Sequence, residues 1–156
     1  MKKYRKLTKT ELENLKDEFI EFLSVQTITG EEWKTIKEEE PEKADEIIAW
    51  FSEVMYEQWM RRVNFAVKVD PKSITAFRFT ASNMVLISIQ STNGNIDLTQ
   101  TPLAQIDNEA LKSMEVYTST KKYTKSREEE IFDLVEKGCL PDDGKYFKTL
   151  IQILPD

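Results

Sequence analysis

The stretch that decides the fold is PEKADEIIAWFSEVMYEQWMRRVNFAVKV, which covers positions 41–69. Apolar side chains recur every three or four positions as far as Trp59, which is the spacing of an amphipathic helix. From Val63 to Val69 they instead occupy every second position, which is the spacing of a β-strand. A helix over about 41–62 that leads directly into a strand predicts a fold of the α+β class.

The residues that follow predict an antiparallel meander of three to four strands within about 63–98. After the first strand, the stretches 74–80 and 84–90 have strand-like composition. Only three residues separate them, which is too few for the crossover that parallel strands need. The sheet is therefore expected to be antiparallel.

A fourth strand is predicted from the turn signal that comes next. Asn93-Gly94 is typical of a two-residue hairpin, because both central positions of that turn have positive φ. We expect the strand beyond it to run through Ile96 and Leu98. The later stretch 118–125 is polar, without an apolar period, and is interpreted as a loop.

Helical patterns lie on both sides of this sheet. Upstream, amphipathic stretches at about 9–24 and 30–38 each follow a Thr with a Glu three residues on, which is the spacing of a capping box. Downstream, helices are predicted at about 127–137 and 143–152. Helical layers that flank a small antiparallel sheet are the economical assembly of these elements.

Size and composition bound the class of protein. A chain of 156 residues is typical of one domain, so we predict a single α+β domain over 1–156. A single cysteine allows no internal disulfide and fits the reducing cytosol, which predicts a cytoplasmic location. No apolar run approaches the roughly 20 residues that span a bilayer, so no membrane partner is expected.

The net charge of −6 is distributed in blocks. Residues 10–60 hold fifteen acidic and four basic side chains, whereas residues 61–127 hold ten basic and five acidic ones. A uniformly acidic surface would argue against polyanionic partners. Because the charge is segregated, a local basic face stays open as an alternative.

The absence of histidine restricts the chemistry of the chain. Ser-His-Asp and Cys-His triads and histidine-containing metal sites are excluded within it, and one cysteine excludes a Cys₄ site. A carboxylate pair or a Lys or Tyr base stays open. We assign no catalytic residue, no metal ligand and no cofactor.

The best anion-binding candidate is the basic segment around Tyr123, which pairs cations with an aromatic ring as nucleic-acid binders do. Four charges are few and an acidic helix follows, so a solvated loop is the simpler explanation. The candidate residues are Lys121, Lys122, Lys125 and Arg127.

A candidate interface lies on the helix at 41–62. Trp50, Tyr56 and Met60 lie beside or opposite its main apolar stripe, so this helix should be covered on two sides. Cover within the same chain is the favoured explanation, and contact with a second copy or another protein is the alternative.

Two stretches resemble a known family. The opening KYRKLTKTELENLKDEFIEFL and the closing REEEIFDLVEKGCLPDDGKYFKTL are similar to small bacterial proteins grouped as a family of unknown function. The resemblance covers most of the chain. It implies a bacterial cytosolic protein and transfers no active-site residue.

Together these observations favour a non-catalytic interaction or structural domain, with a homodimer as one form of it. One alternative is a weak binder of nucleic acid or a phosphometabolite through the basic segment. A second is an enzyme with a histidine-free carboxylate or Lys/Tyr site. A protein partner or self-association is favoured over nucleic acid, and the sequence specifies no small-molecule ligand.

Overall fold

The computed structural model describes residues 2–92 and 96–154. Their contacts group the chain into two compact units, Met1–Trp59 and Met60–Asp156, called here the N-terminal and C-terminal units. The prediction of one domain over 1–156 is not tested by this grouping and stays a prediction.

Four helices begin in the N-terminal unit. The predicted helices at 30–38 and 41–62 are confirmed. The single helix predicted at 9–24 is instead two helices that meet at Leu15, whose ψ of 24° departs from helical geometry. The observed helices are α1 (Lys9–Asn14), α2 (Lys16–Val25), α3 (Gly30–Glu39) and α4 (Pro41–Arg62).

Capping boxes fix the starts of two of these helices. The Thr8 side chain accepts from the Glu11 N–H while Glu11 accepts from the Thr8 N–H, and Thr29 and Glu32 form the same pair of bonds. Each box satisfies main-chain donors that the first turn of a helix leaves without partners. Both boxes were predicted from the sequence.

Aromatic rings form the centre of the N-terminal unit. Phe19 packs edge-on against Trp33 and Phe51, with ring centroids 5.1 and 5.0 Å apart. Phe22 contacts Phe51 at 5.3 Å, and Phe51 itself is fully buried. Edge-to-face pairs at these distances add to the hydrophobic stabilisation of a core.

The chain before α1 is docked along α4. The Tyr4 N–H donates to the Glu53 carboxylate at 3.1 Å, and the Leu7 N–H donates to the Ser52 hydroxyl at 2.9 Å. Tyr4 and Leu7 are both buried, so this N-terminal segment is part of the packed unit.

The C-terminal unit contains a five-stranded antiparallel sheet in the order β4-β3-β2-β1-β5. The strands of the predicted meander are present, and the α+β class is confirmed. The strands are β1 (Phe65–Asp70), β2 (Ser73–Phe79), β3 (Asn83–Ser91), β4 (Met114–Lys122) and β5 (Leu140–Asp142).

The predicted position of the fourth strand is wrong. Leu98 begins a short 3₁₀ helix, Leu98–Gln100, and its side chain is fully buried. The fourth strand is β4, and the predicted loop at 118–125 covers its second half. This strand pairs with β3 over nine residues, from Asn83↔Lys122 to Ser91↔Met114. The predicted Asn93-Gly94 hairpin lies outside the described residues.

Three helices complete the C-terminal unit. The prediction at 127–137 is confirmed, with Ser126 as N-cap and Gly138 at positive φ after the last turn. The helix predicted at 143–152 begins two residues later, because Asp142 ends β5 and Gly144 turns the chain at φ 89°. The helices are α5 (Asn108–Leu111), α6 (Arg127–Glu136) and α7 (Lys145–Ile153).

Aliphatic side chains from the sheet and from α7 form the core of the C-terminal unit. Ile74, Ile87 and Ile89 on the central strands are fully buried, as is Leu150 on α7. No helix within the described residues combines the length and apolar character that crossing a membrane requires.

Candidate functional site

Two kinds of reactive group can be located directly, metal-holding clusters and the cysteine. No group of three His, Cys, Asp or Glu residues is placed to hold a metal ion among the described residues. Cys139 is buried, and burial raises the pKa of its thiol, which keeps the sulfur protonated and poorly nucleophilic at neutral pH. The enzyme alternative is not tested by these observations and stays a prediction.

The basic segment predicted to bind anions lies at one end of β4 and the start of α6. Lys121 and Lys122 are the last residues of β4, Lys125 lies in the connection, and Arg127 opens α6. Consecutive strand residues point to opposite faces of a sheet, so Lys121 and Lys122 do not converge on one ligand.

Arg127 is engaged by the protein itself. Its guanidinium donates to the carbonyl oxygens of Met60 and Phe79, each at 3.4 Å, and to the carbonyl oxygen of Val63. The side chain is 14% exposed and also donates to Asn64 Oδ1 at 3.3 Å. These bonds satisfy carbonyl groups at the end of α4, in its connection to β1 and on β2, which leaves little of the guanidinium for a solvent anion.

Lys125 and the connection around it are also held internally. The Lys125 ammonium lies 2.7 Å from an Asp133 carboxylate oxygen, and this hydrogen bond raises the pKa of Lys125. Glu130 is buried, and its Oε1 accepts from the Thr124 N–H at 3.0 Å, from the Thr124 hydroxyl at 2.9 Å and from the Lys125 N–H at 3.3 Å. Burial alone would raise the pKa of Glu130, but these hydrogen bonds lower it.

The hydroxyl of Tyr123, the aromatic residue of the segment, also forms hydrogen bonds within the protein. The Tyr123 hydroxyl lies 2.8 Å from both the Thr80 and the Asn83 carbonyl oxygens and donates its hydrogen to them. Burial of this hydroxyl raises the pKa of Tyr123. The hydroxyl therefore fastens the turn between β2 and β3.

The three residues of the predicted interface have different environments. Trp50 is 51% exposed and packs edge-on against Phe22 with centroids 5.3 Å apart. Tyr56 and Met60 are each 6% exposed, and the Tyr56 ring packs against the rings of Tyr4 and Trp59. Of the three, only Trp50 presents a large apolar area to solvent.

The outer edge of β4 is a surface that the sequence did not reveal. It is the last strand of the sheet, and no described strand pairs with its outer side. Glu115, Tyr117 and Lys121 are exposed and share one face of it. The Thr, Val and Tyr content of positions 116–120 was the available signal, since these residues favour strands.

Comparison with known proteins places the chain without assigning it an activity. Neither the curated proteins nor the solved structures contain a significant match to it. A family model matches residues 1–155, almost the entire sequence, and its description is "Family of unknown function (DUF6495)". The chain therefore belongs to the DUF6495 family.

Proposed function

We propose that this protein is a non-catalytic interaction protein that self-associates through the outer edge of β4, Met114–Lys122, called the β4 edge. The carrying observation is a nine-residue strand whose outer side has no partner among the described strands. Its outward N–H and C=O groups can form a ladder with another strand. The partner we infer is a second copy of the same edge.

The charges of the β4 edge are complementary to those of its own reversed copy. Antiparallel pairing centred on Thr118 places Glu115 opposite Lys121 of the second copy, and symmetry produces the same pair again. Cross-strand pairs of opposite charge contribute about 0.2–1 kcal/mol each. Parallel pairing in register would instead place Glu115 beside Glu115 and Lys121 beside Lys121.

The other side chains fit the same register. Tyr117 is 60% exposed and would lie opposite Ser119 of the second copy, with Tyr117 of that copy on the diagonal. Aromatic side chains can bridge such a diagonal. Pairing across a two-fold axis perpendicular to the sheet would join two five-stranded sheets into one of ten strands.

A lysine at a sheet edge has a competing explanation, because edge lysines also discourage pairing between sheets. The two explanations differ in the effect of removing Lys121. If Lys121 guards the edge, its loss should strengthen association. If it pairs with Glu115 of the second copy, its loss should weaken association.

The experiment measures molar mass by light scattering across a range of protein concentrations. The native chain should form a dimer, and Lys121→Glu should weaken dimerisation about tenfold or more, because two attractive pairs become repulsive. Lys122→Glu is the matched control, since position 122 faces Met114 in this register and lies on the opposite face. A native monomer throughout, or stronger association of Lys121→Glu, would contradict the proposal.

A further inference from the structure

A groove of about 620 Å³ opens along α1, α2 and α3 in the N-terminal unit. Its volume lies within the range of roughly 300–1,000 Å³ that is typical of ligand sites. Ile20 on its wall is 50% exposed, which leaves a large apolar side chain in contact with water. The apolar lining comprises chiefly Leu12, Phe19, Ile20, Leu23, Ile28 and Trp33.

The charged side chains at the groove are mostly basic. Lys9, Lys16 and Lys37 line it together with a single acid, Glu13. The surrounding sequence has the opposite character, because residues 10–60 contain fifteen acidic side chains and only four basic ones. Two of those four bases line the groove, so positive charge is concentrated there.

These ammonium groups are available to a ligand. Lys9 and Lys16 form no ion pair with any residue that the structure describes. The Lys37 ammonium lies 5.9 Å from the centroid of the Trp33 ring, so a positive charge and an aromatic side chain are adjacent in the groove lining. The face of an aromatic ring is electron-rich and repels an anion, and the Lys37 ammonium offsets that repulsion at the partly exposed Trp33 ring.

A second hollow on the other side of α2 provides an internal comparison. It has a volume of about 390 Å³ and is also largely apolar, with Val25 and Trp50 among its lining residues. Its charged lining residues are Glu18 and Glu21, and none of the described residues that line it is basic. The two hollows thus differ in the sign of their charge.

We propose that the groove binds a single-chain amphiphile with an anionic head, of the class of long-chain carboxylates. The apolar chain covers Ile20 and its neighbours, and the head lies among the three lysines. A site of this volume holds one ligand of moderate size, which favours a single chain. This site lies in the N-terminal unit and is independent of the β4 edge.

The test compares three probes of equal chain length by titration calorimetry: dodecanoate, 1-dodecanol and dodecyltrimethylammonium, each below its micelle concentration. Dodecanoate should bind most tightly and with one-to-one stoichiometry. The alcohol should bind more weakly because it lacks the charge, and the cation should bind weakest. Equal affinity for all three probes, or no binding of dodecanoate, would overturn the proposal.

Matched variants locate the binding. Lys37→Gln should weaken dodecanoate binding about two- to fivefold, as expected for one exposed charge pair. Lys34→Gln on the same helix, outside the groove, should leave it unchanged. Ile20→Asn should weaken binding of both dodecanoate and the alcohol, whereas Val25→Asn on the second hollow should not. If the two lysine variants had equal effects, or the two asparagine variants did, the ligand would not bind in this groove.

A protein segment is the competing occupant. An acidic amphipathic peptide could bind the native chain, fail to bind the Lys37→Gln variant and not compete with dodecanoate. These three results together would assign the groove to a partner helix. That result would overturn the carboxylate proposal. Displacement of such a peptide by dodecanoate at one-to-one stoichiometry would support it.

Discussion

At the scale of single residues, Arg127 and Glu130 bind main-chain groups of opposite kind near the start of α6. Arg127 donates to main-chain carbonyl groups, and Glu130 accepts from main-chain N–H groups. Buried main-chain groups without partners are costly, so each charge stabilises the segment that it contacts. The sequence predicts anion binding for Arg127 from its basic neighbours and Tyr123. It does not reveal the carbonyl partners, because these lie 48 to 67 positions away in the chain.

Replacing Arg127 should therefore destabilise the fold. We expect Arg127→Met to lower the free energy of unfolding by about 3 kcal/mol, because it removes the charged donor that the Val63 and Phe79 carbonyl groups accept from. Chemical denaturation with a circular-dichroism readout measures this change. Lys125→Met is the control, because it removes only an exposed ion pair and should barely move the midpoint. Equal effects of the two variants would argue against a structural role for Arg127.

Glu11 should contribute to stability in a pH-dependent way. Its hydrogen bond from Arg5 and its place in the capping box lower the pKa of its carboxyl from 4.5 to about 2. Because the folded-state pKa is depressed, this stabilisation is complete above pH 4.5 and is lost as the pH falls through about 2.

The measurement is urea denaturation at several pH values for the native chain and Glu11→Gln. The native chain should be the more stable at pH 6, and the difference should shrink steadily below pH 4.5. Glu13→Gln is the matched control. Glu13 follows Thr10 at the same spacing as Glu11 follows Thr8, but it belongs to neither observed capping box. A difference independent of pH would show that the carboxylate charge is not the cause.

At the scale of elements, periodicity predicted those whose side chains divide clearly between core and solvent. The helix at 41–62 was located to the residue, since its buried stripe recurs over many turns. β4 was missed because both faces of its second half are exposed, so no apolar alternation marks it. It forms a strand because β3 offers nine residues of unpaired main chain, a long-range cause that local sequence does not display.

The break between α1 and α2 has a similar explanation. Apolar residues from Leu12 to Leu23 keep a helical period across the junction, so the pattern predicted one helix. The Leu15 N–H bonds to both the Glu11 and the Leu12 carbonyl oxygens, which tightens the turn. Side-chain period alone does not encode that change in main-chain hydrogen bonding.

The β4 edge permits a charge-exchange experiment at the scale of an element. Glu115→Lys should weaken dimerisation as Lys121→Glu does, because each creates two like-charge pairs in the proposed register. The double variant Glu115→Lys/Lys121→Glu restores both pairs with reversed polarity and should recover most of the native affinity. Sedimentation equilibrium at low salt measures all four chains. A double variant as weak as either single one would exclude this register.

At the scale of the whole molecule, the sequence placed candidate residues better than it identified their partners. Tyr56 and Met60 lie off the main stripe of α4, and cover within the same chain is the favoured explanation from the sequence, but the pattern does not show that Tyr4 is one of the covering residues. The sequence also did not show that Lys9, Lys16 and Lys37 line one groove, because they lie on three different helices. Sites formed by side chains distant in sequence depend on packing that a linear pattern does not contain.

The whole molecule also offers a test of the single-domain prediction. All three tryptophans lie in Met1–Trp59, whereas every described strand lies in Met60–Asp156. Tryptophan fluorescence therefore reports on the N-terminal unit, and the infrared signal of β-structure reports on the C-terminal unit. Because α4 runs from Pro41 to Arg62 across the boundary, we expect the two signals to change together during denaturation at one protein concentration.

Interrupting α4 should separate the two transitions. Gln58 is exposed near the boundary, and Gln58→Pro removes a helical hydrogen bond at a cost of about 3 kcal/mol. If the continuous helix couples the units, the fluorescence and infrared midpoints should diverge in this variant and coincide in Gln58→Ala. Midpoints that already differ in the native chain would instead show two independently folding domains, and the prediction of one domain over 1–156 would be wrong.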